Sequence, residues 1–388
     1  MRVFLVAGEP SGDALGAALM AGLRSLCPEV SFAGVGGPLM QAQGLESLFP
    51  MTELSVMGLA EVLPRYPALR RRLSQVRRAV LAQDPDLLIT IDSPEFNLRL
   101  ARAVKARSAI RVVHYVAPSV WAWRPQRAAR LRGSVDQVLA LLPFEPPLIE
   151  AAGVACDFVG HPAVSAPQAS VAQAAAFRLA QGLGDAPILL LLPGSRRAEV
   201  SRLMPVFGAA LSRIRTERPD IRAVLPAAPS VAGLVTALSA NWPVTPLILD
   251  PREMTPPAFV AQKRAAFQAA DLALAASGSV SLELAAAQVP MVIAYDMHWL
   301  SRVILKRLLR IDTVTLVNLV AESRTVPEFL GHACKPAPIA EAVLDLFDNS
   351  NAQQAALALC MARLGQGDEA QGLRAARAVL AGLEPKSG

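Results

Sequence analysis

At 388 residues the chain is longer than one small core needs and has the length of two α/β domains. Its 53% hydrophobic content and mean hydropathy of +0.37 exclude a largely disordered protein. The 38 basic and 32 acidic residues give +6, and only five of the basic residues are lysines, so the positive charge is arginine, a residue suited to phosphate or an anionic membrane face.

In chain order, Arg2–Ala7 reads as an apolar strand that ends in Gly8-Glu9-Pro10-Ser11-Gly12-Asp13 and passes into a helix marked by Leu15, Leu19 and Leu23. Further strands are expected at 31–35, 87–91, 111–116 and 135–141 and near Phe158, with helical lengths between most of them. Across 162–170 the pattern lapses into Pro, Ala, Ser and Gln, then resumes with strands at 188–192, 223–225, 247–249, 272–275 and 289–294. The expected fold is α/β: two Rossmann-like doubly wound parallel-sheet domains, 1–165 and 166–365, facing a cleft at the carboxyl ends of their strands. Helices are expected at 339–347, 352–364 and 373–383, and the segment 366–388 should cross back to the first domain.

Neither standard nucleotide fingerprint is complete. Gly34-Val35-Gly36-Gly37 has Leu39 where a third glycine would fall, and Gly8 to Asp13 lacks Lys-Ser or Lys-Thr, which disfavours a dehydrogenase or a P-loop enzyme. Two other strand-to-helix junctions suit a diphosphate. At 271–283 an apolar strand runs into Ser277, Gly278 and Ser279, residue types that leave first-turn amides exposed to an anion. Glu283 falls outside capping-box spacing and is expected to be free for a ribose, although an ordinary turn with a surface Glu has the same look. At 189–199, Gly194 and Ser195 offer amides and Arg196 a bidentate guanidinium. Together the junctions favour a nucleotide diphosphate site.

Asp92 ends the strand 87–91 and can serve as a general base toward a hydroxyl; capping of the helix that begins near Pro94 is the structural alternative. His114, Tyr115, Pro118, Ser119, Trp121, Trp123 and Arg124 form a polar and aromatic group after another strand, suited to stacking on a sugar or to plain packing. His161, in Gly160-His161-Pro162, reads as a hinge residue.

Two segments suit a membrane surface. In 65–81, Leu69, Leu73, Val76 and Val80 recur at helical spacing among Arg70, Arg71, Arg72, Arg77 and Arg78, and 299–310 repeats the theme with Arg302, Lys306, Arg307 and Arg310. Solvated outer helices look similar when taken singly. No nucleic-acid module or lysine-rich stripe accompanies the charge, so no nucleic-acid partner is expected. Cys27, Cys156, Cys334 and Cys360 form no C-x-x-C pair, which suggests reduced cytoplasmic thiols and neither zinc nor a disulfide framework. The amino-terminal apolar run breaks too early for a signal peptide, and no later run approaches the roughly 18 apolar residues of a membrane span.

The ordered set Gly-Glu-Pro-Ser-Gly-Asp at 8–13, Ile-Asp-Ser-Pro-Glu-Phe-Asn at 91–97, Tyr-Val-Ala-Pro-Ser-Val-Trp-Ala-Trp at 115–123, Gly-His-Pro at 160–162, Leu-Pro-Gly-Ser-Arg at 192–196, Ser-Gly-Ser-Val-Ser-Leu-Glu at 277–283 and Val-Pro-Glu-Phe-Leu at 326–330 closely resembles the lipid-A-disaccharide synthase family. The resemblance implies an inverting glycosyltransferase of the two-domain GT-B type, with no metal and no cofactor. It would join UDP-2,3-diacylglucosamine to 2,3-diacylglucosamine 1-phosphate with release of UDP, peripheral to the cytoplasmic face of the inner membrane. Carried over by position, Asp92 is the base. Gly194, Ser195, Arg196, Ser277, Gly278, Ser279, Glu283, Asn318 and Glu328 bind the nucleotide sugar, and Glu9, Ser11, Gly12, Asp13, Ser119 and Trp121 bind the acceptor. The only Asp-x-Asp, Asp84-Pro85-Asp86, lies at the wrong end of its strand for that cleft. The chain departs from the family at Ser279 (usually Thr), at Gly331 and His332 where Gln is common, and at Glu322 where Gly is frequent. An anionic membrane is the expected macromolecular partner, and the sequence leaves a homo-oligomer open. A UDP-sugar epimerase of the same architecture and a non-catalytic nucleotide- or membrane-binding protein are the alternatives.

Overall fold

The computed structural model describes residues 1–54, 59–118, 131–296 and 312–383. They divide into two compact units, Met1–Ser165 with Gly367–Gly388, and Ala166–Gln366.

In the first unit the elements run β1 (Arg2–Ala7), α1 (Pro10–Leu26), β2 (Ser31–Val35), α2 (Pro38–Ala42), β3 (Glu46–Ser47), α3 (Leu59–Gln83), β4 (Leu87–Ile91), α4 (Pro94–Lys105), β5 (Arg111–Tyr115), β6 (Gln137–Ala140), α5 (Pro146–Glu150) and β7 (Ala155–Phe158). The strands form one parallel sheet in the order β3-β2-β1-β4-β5-β6-β7, so the chain steps outward from β1 in both directions. That reversal puts a crevice site at the carboxyl ends of β1 and β4. β4 is buried at every residue, as helices on both faces of a parallel sheet require. Asp86 fixes the opposite end of the sheet, its carboxylate accepting the Arg2 amide at 2.7 Å.

The second unit contains α6 (Val171–Ala180), β8 (Ile188–Leu192), α7 (Arg197–Glu217), β9 (Arg222–Pro226), α8 (Ala232–Ser239), β10 (Leu247–Leu249), α9 (Pro256–Ala269), β11 (Leu272–Ala276), α10 (Val280–Ala286), β12 (Met291–Tyr295), α11 (Leu316–Ala321), β13 (Glu328–Leu330), α12 (Pro336–Asp348) and α13 (Asn351–Arg363). Its parallel sheet runs β10-β9-β8-β11-β12-β13, which places β8 and β11 side by side at its centre. A full capping box opens α6, with Ser170 and Gln173 each accepting the other's backbone N–H.

A last helix, α14 (Gln371–Ala381), returns to the first unit and lies along α1. The helices touch through glycine: a Cβ at Gly22 would strike the Gly372 carbonyl, and one at Gly372 would strike the Ala18 carbonyl. Ala375, Ala376 and Val379 thereby enter the same core as Leu19 and Leu23. Gln371 adds a hydrogen bond from Nε2 to the Gly160 carbonyl at 3.1 Å.

The first of the two basic segments also has a structural role. The Leu69, Leu73, Val76 and Val80 stripe of α3 packs on the first unit's core, because an amphipathic helix on a sheet buries its apolar face against that sheet. Arg72 is also committed, held by Glu53 at 2.5 Å and stacked 4.4 Å from the Phe49 ring centre. Arg70, Arg71 and Arg78 stay exposed. The second basic segment, with Arg302, Lys306, Arg307 and Arg310, lies outside the described residues. Among the described residues no helix is long and apolar enough to cross a membrane.

Candidate functional site

Two loops that leave neighbouring strands build the cavity of the second unit. β8 ends at Leu192 and β11 at Ala276, and the turns that follow line a cavity of about 330 Å³ together with Phe259, Lys263 and residues 226–229. That volume is at the lower end of the range for small-molecule sites. Gly194, Ser195, Arg196, Ser277, Gly278, Ser279 and Glu283, all named from the sequence, meet in it. The N-caps of α7 and α10, Arg196 and Ser279, make no side-chain cap hydrogen bond, so first-turn amides are left for water or a ligand. Gly194 sits at φ +107°, and a Cβ there would lie 2.8 Å from Glu199 Oε2. At Gly278 a Cβ would meet nothing within 4 Å. Glycine is needed at the first position for contact and conformation, and at the second for conformation and an open cavity.

Two ion pairs flank these loops. Arg196 Nη1 donates to Glu199 Oε1 at 2.9 Å, and Lys263 Nζ to Glu283 Oε2 at 2.6 Å. Lys263 also lies 5.1 Å from the Phe267 ring centre. Glu283, expected to be free, is therefore paired across the cavity wall with a lysine from α9, a partner twenty residues away that local spacing does not reveal. Glu199, Phe259, Lys263 and residues 226–229 are lining residues to which sequence reasoning gave no role. Only Glu199 had a local signal, an acid three positions after Arg196 in the first turn of a helix.

Asn318 and Glu328 do not line this cavity. Asn318 is buried, its Nδ2 donating to the Val326 carbonyl at 2.9 Å and its Oδ1 accepting the Val326 amide at 3.1 Å. Glu328 accepts the Thr313 hydroxyl at 2.5 Å and the Thr315 amide at 2.7 Å. Both spend their polar atoms fixing the backbone of 313–328, because buried amides and hydroxyls there need partners. Both residues thus hold the backbone of 313–328 beside β12 and β13, outside the lining of this cavity.

In the first unit, β4 passes into α4 through Asp92 at φ +51° and Ser93 at φ +43°, and the neighbouring β5 is followed by Val116 at φ +79°. Left-handed backbone at an aspartate, a serine and a β-branched valine is strained, and such strain concentrates at functional sites. Hydrogen bonds enforce it: the Asp92 amide donates to the Tyr115 carbonyl at 2.9 Å, and Asn97 Nδ2 donates to the Asp92 carbonyl at 2.8 Å. Gly8, after β1, lies so close that a Cβ would come within 2.6 Å of Ser93 Oγ. Ser93 is the N-cap of α4 and makes no side-chain cap hydrogen bond, so the helix is not closed by a capping side chain. Burial pushes the half-buried Asp92 carboxyl above the usual aspartate value, with the Ser93 amide partly opposing it.

The first loop is only partly as expected. Glu9 is the half-buried N-cap residue of α1, Ser11 is exposed and Gly12 is packed beneath Ile91. Asp13, expected to meet an acceptor, is 2% exposed and accepts the amides of Gly37 at 2.9 Å, Leu39 at 3.0 Å and Met40 at 3.0 Å. A carboxylate caps the start of α2 there, where orphan N–H groups and the helix dipole favour it. His114 and Tyr115 are core residues of β5, with His114 Nδ1 2.8 Å from Thr90 Oγ1. Ser119, Trp121, Trp123 and Arg124 lie outside the described residues. His161 Nδ1 accepts the Ala163 amide at 3.1 Å.

Comparison with known proteins identifies the family. The family described as lipid-A-disaccharide synthetase matches residues 3–380. The chain is 61% identical over 380 residues to the lipid-A-disaccharide synthase of Ruegeria pomeroyi, covering 98% of this chain and 95% of that one. It is 47% identical over 386 residues to that of Rhodospirillum centenum, covering 98% and 94%. Among solved structures, the UDP-GlcNAc 2-epimerase of Neisseria meningitidis bound to UDP-GlcNAc superposes with a TM-score of 0.64 at 13% identity, over 99% of each chain. A glycosyltransferase of Rickettsia africae gives 0.60 at 11% identity, over 100% of this chain and 99% of that one. Epimerase and transferase thus share the GT-B architecture, and the fold alone does not choose between them. Sequence does: the chain belongs to the lipid-A-disaccharide synthase family of glycosyltransferases.

Proposed function

We propose that the chain transfers a 2,3-diacylglucosamine unit from its UDP derivative to the 6-hydroxyl of 2,3-diacylglucosamine 1-phosphate, with inversion and without a metal or cofactor. The second unit takes the UDP-sugar and the first the acceptor. Asp92 accepts the hydroxyl proton as that oxygen attacks the anomeric carbon, and the bond from that carbon to the diphosphate breaks to release UDP. A carboxyl whose pKa is raised by burial is a stronger base than an ordinary aspartate once ionised. Arg196 and the amides at 194–195 and 277–279 receive the charge that develops on the leaving diphosphate, with donors fixed before the reaction begins. Glu283, carrying Lys263, accepts a ribose hydroxyl through its remaining carboxylate oxygen.

The observation that carries this reading is the meeting of both glycine loops and Arg196 in one cavity at the carboxyl ends of β8 and β11. The test is incubation with UDP-2,3-diacylglucosamine, with and without the acceptor, followed by mass spectrometry of the lipids. Acceptor-dependent UDP release with a disaccharide 1-phosphate supports the transferase, whereas acceptor-independent isomerisation of the sugar would make the chain an epimerase.

A peripheral position at the cytoplasmic face of the inner membrane suits doubly acylated substrates, and the exposed Arg70, Arg71 and Arg78 on α3 suit anionic headgroups. Replacing these three with Ser should reduce sedimentation with anionic vesicles; unchanged sedimentation would return α3 to a merely solvated role.

A further inference from the structure

Arg196 and Glu199 form an unequal pair. The arginine side chain is 68% exposed and the glutamate only 12%. In the usual capping box the acid at the third helical position reaches back to the N-cap amide. Here the N-cap residue is Arg196 itself, and Glu199 takes its guanidinium instead. The carboxylate is wedged against the loop, since the space a Cβ would fill at Gly194 lies 2.8 Å from Glu199 Oε2. Its charge is also felt by Tyr295 at the end of β12, whose hydroxyl pKa is raised by burial first and by Glu199 second. Glu199 is thus held by packing, while Arg196 projects from it. One N–H of the guanidinium is used, and its other donors have no partner among the described residues.

A carboxylate beside a diphosphate site opposes ligand binding unless a cation stays with it. Losing Arg196 entirely to the ligand would leave a nearly buried anion unpaired, which is costly. A guanidinium avoids that cost because its planar fork can serve two anions from two edges. Building on the proposed nucleotide site, we infer that Glu199 is a positioning residue: it keeps one edge of Arg196 throughout and aims the other edge at the leaving diphosphate.

Isothermal titration with UDP and steady-state turnover on Glu199→Ala, Glu199→Gln, Arg196→Ala and the Glu199→Ala/Arg196→Ala double variant test this. Glu199→Ala should weaken UDP binding and lower kcat/KM, each by about 10- to 100-fold, as expected when a catalytic cation is misplaced by an ångström or so. Glu199→Gln keeps an acceptor of the same shape and should recover most of that loss. In the Arg196→Ala background, removing Glu199 should cost nothing further, because nothing remains to be aimed. Three outcomes overturn the inference: UDP affinity unchanged in Glu199→Ala, UDP affinity tightened there because the carboxylate merely competes with the ligand, or an equal loss with and without Arg196, which is the mark of a structural role. If instead Arg196→Ala binds UDP as the unaltered protein does, the nucleotide site itself is misassigned, a failure separate from that of Glu199.

Discussion

The Asp92 junction of the first unit and the paired glycine junctions of the second occupy equivalent places, each at a strand's carboxyl end where a parallel sheet gives way to a helix. They solve the turn differently. In the second unit Gly194 and Gly278 adopt the unusual backbone with no side chain to strain, and the charged residues beside them arrive already paired. In the first, Asp92 and Ser93 take left-handed angles themselves, and the Asp92 carboxyl is half-buried with its pKa raised. A site that only holds an anion can be built from glycine and amides. One that moves a proton needs a particular side chain at the turn, and the fold accommodates the strain.

The sharpest way to break this contrast is Asp92→Asn. Turnover should fall by about 10²–10⁴-fold, the usual worth of a general base, while UDP binding stays within about twofold. The same variant has a second signature. Since the folded pKa of Asp92 lies above its ordinary value of 3.8, ionising it costs the fold stability as pH rises through that folded pKa. Asp92→Asn should therefore melt higher than the unaltered protein at neutral pH and converge with it in acid. The acid limb of kcat/KM should likewise titrate above 3.8.

The next effect separates the two units by acid. His114 is fully buried in the first unit, and burial lowers its pKa from 6.5 to about 4. A folded pKa below the unfolded one gives stability that is present above 6.5 and is lost as pH falls toward 4. The loss from His114 is about 3 kcal/mol. His161 adds to it in the same direction, its pKa lowered by burial to about 4. Hydrogen exchange followed over this range should show amides of the first unit losing protection before those of the second; simultaneous loss would remove His114 from the account.

A smaller effect tests the glycine junctions. Gly194→Ala meets both a strained backbone and Glu199, whereas Gly278→Ala meets strain alone, so the first should destabilise more, by about 1–3 kcal/mol. Equal melting points would mean that the Glu199 contact has no weight.

The smallest involves Glu322, which closes α11 at φ +53°, a conformation that glycine adopts without strain. Glu322→Gly should raise stability by about 1 kcal/mol or less, offset slightly by the exposed ion pair to Arg363 at 3.1 Å. A lower melting point would show that the ion pair outweighs the backbone.

Periodicity made most of the fold legible, because apolar runs such as Leu87–Ile91 and Ile188–Leu192 are buried on both faces. The edge strands β3 and β13 were not foreseen, since two or three residues cannot display a period. Glycine, serine and arginine at strand ends made the cavity loops readable. The backbone partners of Asp13, Asn318 and Glu328 were not legible, because position in a motif does not say which amides a polar side chain will meet. Lys263 was invisible for another reason, since it reaches Glu283 only through tertiary packing.

The return of α14 to α1 bears on how the chain is made. Residues 166–366 form a contiguous stretch, whereas the first unit is closed by a helix made after all of the second, so its core cannot be completed until the end of the chain is available. Until Gly372 seats against Gly22, the apolar flank around Leu19 and Leu23 stays uncovered, and the nascent chain presents the kind of surface that chaperones bind.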